Sequence, residues 1–85
     1  MAADNVVKAA IRDVLKGKGG SVNRLLEVGF YDPVANESLR FIVYAIRALY
    51  KRGEAITTPS IIRRLSDYTT KNIAKAAKEE LIKII

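Results

Sequence analysis

Apolar residues recur along this chain at intervals of three and four, the spacing of one face of an α-helix, and no segment alternates convincingly as a strand would. Val6, Val7, Ala10, Ile11, Val14 and Leu15 predict a first amphipathic helix over roughly Asn5 to Lys16, with Asp4 or Asn5 as its cap. The glycine-rich stretch from Gly17 to Gly20 reads as a helix stop and linker. It lacks the G-x-x-x-x-G-K-[ST] spacing that a phosphate-cradling loop requires. Ser21 is then placed to cap a short helix to about Val28, with Val22, Leu25 and Leu26 inward and Gly29 as its stop. Phe30 and Tyr31 follow outside any helix face, as a plug for the end of a core or as a subunit contact.

Asp32-Pro33 has the form of an N-cap followed by proline at the first helical position, and Asn36 offers a second start. From there to Arg52 the pattern predicts the strongest helix in the chain. Leu39, Ile42, Val43, Ile46, Leu49 and Tyr50 form its apolar stripe; Arg40, Arg47, Lys51 and Arg52 are left to solvent. Phe41 and Tyr44 widen the apolar arc, which implies a helix that is central or shared with a partner. Gly53 ends it.

The next helix starts with Thr58 as cap and Pro59 at the first position, and turns Ile61, Ile62 and Leu65 inward. Ser66 to Thr69 reads as a polar turn anchored by Tyr68. Thr69 or Thr70 then caps a last helix whose inward residues are Ile73, Ala76 or Ala77, Leu81 and Ile84. Leu81 to Ile85 could form a strand, but it continues the helix without a break. Two helices joined by so short a turn are expected to cross steeply and pack on the long helix before them. The reading is all-α: one domain of about five helices containing a helix-turn-helix-like three-helix unit. An N-terminal helix and linker occupy residues 1–20, a short helix and turn residues 21–38, and the three-helix core residues 39–85.

Composition narrows the chemistry. The chain has no Cys and no His, so a thiol nucleophile, an imidazole base and a Cys/His zinc site are all excluded. Its acids are scattered. The nearest pair, Glu79-Glu80, points apart on a helix, so neither catalysis nor a cofactor is expected. With 85 residues, stability must come from packing or from a second subunit. No run approaches the ~20 apolar residues of a membrane span, and the N-terminus lacks a secretory pattern, so a cytoplasmic protein is expected. The absence of Gln, with one Met and many Lys, Arg and Ile, fits a thermophilic source.

Charge adds direction. The net charge is +6, and its placement is uneven. Through Leu39 five basic residues face five acids; from Arg40 onward ten basic residues face four acids. The whole excess therefore lies in the half that carries the last three helices, where a polyanion would feel it.

The stretch from about Ile42 to Leu81, with "ITTPSIIRRL", a turn and "TTKNIAKAAKEEL", resembles the helical core of winged-helix and related helix-turn-helix proteins. It is also similar to a ribosomal winged-helix protein with a comparable "ITPS" helix start. The resemblance implies that the last helix is a recognition helix presenting Thr69, Thr70, Lys71, Asn72 and Lys75 to the major groove. Asn72 would read a base, since Asn can pair bidentately with adenine. Lys71, Lys75 and Lys78 would contact phosphate, with Arg63 and Arg64 gripping the backbone alongside. The chain departs from the pattern twice. The interval from Leu65 to Ile73 is about one residue longer than usual, and Leu81 to Ile85 has no Gly turn with which to start a wing. The expected function is that of a dimeric duplex-DNA binder, a small transcription regulator or a packaging protein. Two alternatives are an assembly protein whose helices contact copies of itself and an RNA-binding, ribosomal-type component.

Overall fold

In a computed structural model, the chain is described over residues 2–18, 20–27, 36–68 and 71–85. The described residues form five helices and no strand: α1 (Ala2–Leu15), α2 (Gly20–Glu27), α3 (Glu37–Lys51), α4 (Thr58–Tyr68) and α5 (Lys71–Ile84). This is the all-α bundle that the periodicity predicts. The C-terminal Leu81 to Ile84 is helical. The proposed Gly29 stop, the Phe30-Tyr31 pair and the Asp32-Pro33 start lie outside the described residues, as do the caps proposed at Thr69 and Thr70.

Several boundaries differ from the sequence reading. α1 already runs from Ala2, so Asp4 and Asn5 sit inside its first turns and not at its cap. α2 begins at Gly20, which places Ser21 within the helix. α3 is capped by Asn36, which has an extended backbone and whose side-chain Oδ1 accepts the Leu39 N–H at 3.2 Å, a conventional N-cap. At the far end Gly53 takes φ +68, the left-handed turn that releases the chain from α3.

The core is aliphatic. Val7, Ile11 and Val14 of α1, Val22 and Leu25 of α2, five large residues of α3, Ile61 and Leu65 of α4, and Ala77, Leu81 and Ile84 of α5 form one buried cluster. Among the described residues no polar side chain is buried with them. α3 packs against each of the other four helices, which explains its wide apolar arc. Its stripe needs two corrections. Ala45 belongs to the core, whereas Tyr50 is 48% exposed.

α1 folds onto the same core, touching α2, α3 and α5. Two polar ties fasten it to α5: Lys8 Nζ lies 3.0 Å from Glu80 Oε1, and Arg12 Nε donates to the Ile84 carbonyl at 3.1 Å. The second places a cation on the orphan carbonyls of a helix C-terminus, where the helix dipole favours it. The nominally neutral N-terminal half is thus an integral layer of this globule.

Candidate nucleic-acid interface

The local chemistry at the start of α4 fixes where its basic residues point. Thr57, not Thr58, is the N-cap: its carbonyl accepts the Ile61 N–H at 3.0 Å and its Oγ1 accepts the Ser60 N–H at 3.3 Å. Ser60 Oγ in turn accepts the Thr57 N–H at 2.9 Å, closing a reciprocal capping box with serine in the place usually held by Glu or Gln. Pro59 consequently occupies the second helical position. Proline is harmless there too, because the N–H it lacks would have no partner inside the helix.

The predicted polar turn at 66–69 is a correction of larger consequence. Residues 66–68 are helical. Ser66 Oγ donates to the Ile62 carbonyl at 3.2 Å, so its hydroxyl is satisfied by the helix itself. One turn on from Arg64 stands Tyr68, whose hydroxyl accepts from Arg64 Nε at 3.1 Å; Asp67 lies 3.8 Å from Arg64 Nη1. Neighbours three and four apart on a helix support it in this way. The extra interval between Leu65 and Ile73 is therefore absorbed by α4, and only residues 69–70 separate the two helices.

α4 carries two grooves on its flanks. On one side Lys71, Ala74, Lys75 and Lys78 of α5 and Ser66 of α4 line a groove of ≈ 400 Å³. On the other, Ser60, Arg63, Arg64 and Asp67 of α4 meet Leu49 and Arg52 of α3 and the connecting Glu54 around a smaller one of ≈ 160 Å³. Adjacent residues Ser66 and Asp67 line different grooves, so the exposed face of α4 is the ridge between them.

Of the eight predicted site residues, Thr69 and Thr70 lie outside the described residues, and the other six are divided. Lys71, Lys75 and Lys78 converge, as positions i, i+4 and i+7 of one helix must. Lys71 sits in the first turn of α5, which contains no acid, although the dipole there favours a negative charge. The sequence accepts a locally unfavourable placement, and the result is strongly positive. Asn72 is exposed but turned about 100° from Lys71 around the helix, outside the groove. Arg63 is exposed in the mixed-charge groove. Arg64 lines the same groove, with its guanidinium turned back along α4. Its hydrogen bond to Tyr68 and the nearby Asp67 hold the guanidinium and raise its pKa further. Arg52 and Ser66, which the sequence reading left out, belong to the grooves only through the packing of α3 on α4 and of α4 on α5.

Acids do little to offset the lysine side. Glu80 of α5 is taken up by Lys8 of α1, and Glu79 is exposed outside the groove. Among the described residues no three His, Cys, Asp or Glu side chains cluster as metal ligands would, and no helix is long and apolar enough to cross a membrane. Comparison with protein-family models, characterised proteins and solved structures found no match.

Proposed function

We propose that the chain binds nucleic acid, with duplex DNA as its partner, through the lysine-lined groove between α4 and α5. The observation that carries this reading is the convergence of Lys71, Lys75 and Lys78 on one flank of α5 while Glu80 is neutralised from α1. Three cations on about two turns of helix match a phosphate backbone. The exposed Asn72 on the outer face of the same helix is in a position to reach a base edge. The reading keeps a small regulator or packaging protein as the role, with Arg63 as an auxiliary phosphate contact and Arg64 as a buttress of α4.

The test is a salt-titrated gel shift with duplex DNA. Replacing Lys71, Lys75 and Lys78 with Ala should weaken binding on every sequence and flatten the salt dependence, because fewer counterions are released. Retention of wild-type affinity and slope would show that DNA, if bound, uses another surface.

A second reading, self-association, is favoured by the apolar end of α5. Ile82 is 64% exposed and Ile85 67% exposed, although Ile84 between them is buried. Covering these side chains with a second copy would stabilise a homodimer without altering the groove.

A further inference from the structure

α3 is central to the core, yet its outer face is not an ordinary solvated one. On a helix each step of three residues turns the side chain by about 60°, so Tyr44 and Tyr50 stand about 120° apart on α3 with the half-buried Arg47 between them. Lys51 falls on the same surface, one turn beyond Arg47. Tyr44 is 41% exposed, and Tyr50 more so. Tyr44 is held in an edge-on contact with Phe41, ring centroids 6.1 Å apart, and Phe41 in turn lies under the Arg40 guanidinium at 5.4 Å. The acid on this face, Glu37, is paired with Arg40 at 3.3 Å. Neither Arg47 nor Lys51 has an ion-pair partner among the described residues. None of Tyr44, Arg47, Tyr50 and Lys51 lines either groove beside α4.

From this arrangement we infer a second binding surface, for unpaired bases of a single-stranded nucleic acid, on the outer face of α3. Bases would stack on Tyr44 and Tyr50, and the intervening phosphates would lie against Arg47 and Lys51. The choice of partner follows from the mixture of side chains. A purely ionic partner, such as an acidic peptide, gains little from two large exposed rings. A purely apolar one would have to bury two cations, which is costly. A single strand offers a flat π-face and a negative charge at every nucleotide, and aromatic residues interleaved with cations meet both. Tyr44 is braced on one edge by Phe41, so stacking on it orders less than stacking on an unsupported ring would. The inference does not depend on duplex binding at the α4–α5 groove, and a strand at α3 would leave that groove open.

The chain contains four tyrosines and no tryptophan, so its intrinsic tyrosine emission reports stacking directly. A fifteen-nucleotide oligo-dT, titrated at low salt and followed by both tyrosine quenching and the anisotropy of a labelled strand, should bind with quenching. Tyr44→Ala combined with Tyr50→Ala should weaken oligo-dT binding by about tenfold or more and leave duplex binding unchanged. Tyr44→Phe with Tyr50→Phe should retain it, since the ring and not the hydroxyl makes the contact. The lysine triple variant in α5 should weaken duplex binding and keep oligo-dT binding. Three results would overturn the inference: no quenching by oligo-dT, undiminished binding by the double alanine variant, or oligo-glutamate binding as tightly as oligo-dT. Loss of oligo-dT binding in the lysine variant would also overturn it, by merging the two surfaces into one.

Discussion

Glycine shows how far a single residue's meaning depends on backbone conformation. Gly53 and Gly20 both have open space where a Cβ would be added. Gly53, however, has φ +68, whereas Gly20 opens α2 in a helical conformation. Gly53→Ala should therefore cost about 1 kcal/mol from the left-handed backbone alone. Gly20→Ala should raise stability by about 0.5 kcal/mol, because the substitution restricts the unfolded chain and strains nothing in the folded one. Urea unfolding of the two variants should move in opposite directions. Same-sign shifts would contradict the assigned conformations. The pattern Tyr50-Lys51-Arg52-Gly53 made the first glycine legible as a stop. Nothing in Gly17 to Gly20 distinguished a linker glycine from one that starts a helix, because glycine adopts both conformations.

Among the elements, α4 differs most from its sequence reading, and its two ends differ for separate reasons. At the start, two adjacent threonines compete as the cap, and only the hydrogen bonds between Thr57 and Ser60 decide between them. Thr57→Ala should lower stability by about 1 kcal/mol; Thr58→Ala should change it by a few tenths at most. Equal losses in thermal or urea melts would return the cap to an undecided state. At the end, Ser66, Asp67 and Tyr68 look like turn residues because Ser and Asp compete for backbone hydrogen bonds. They continue the helix, where Arg64 one turn back meets both Tyr68 and Asp67. The apolar registers were more robust. Ile61, Leu65, Leu81 and Ile84 are buried where periodicity places them, and of the pair Ala76 and Ala77 the core takes Ala77, with Ala74 in addition.

At the scale of the molecule, the Cα radius of gyration is 11.5 Å, close to the about 12 Å expected of a compact chain of this length. All five helices contribute to one core, so a partner is not needed to complete it. What a partner could cover is the end of α5. If it does, replacing Ile82 and Ile85 with Glu should convert a concentration-dependent dimer into a monomer in sedimentation equilibrium. Its melting temperature, measured under dilute conditions, should stay close to that of the wild type, since neither side chain is in the core. A wild-type chain that is monomeric at high concentration would remove the self-association reading and leave the lysine groove untouched.

The sequence by itself determined the helical class, the number of helices and most of the buried registers, because a 3.6-residue period in apolar side chains is a local property of the chain. It also determined that the positive excess belongs to the last three helices, which is a matter of counting. Tertiary structure decided how that excess is shared out. Packing of α4 against both α3 and α5 sends Arg63 and Arg64 to one groove and Lys71, Lys75 and Lys78 to another. Docking of α1 removes Glu80 from the surface balance through Lys8. Lys8 and Glu80 come from the first and the last helix, and no periodicity within a single helix can pair them.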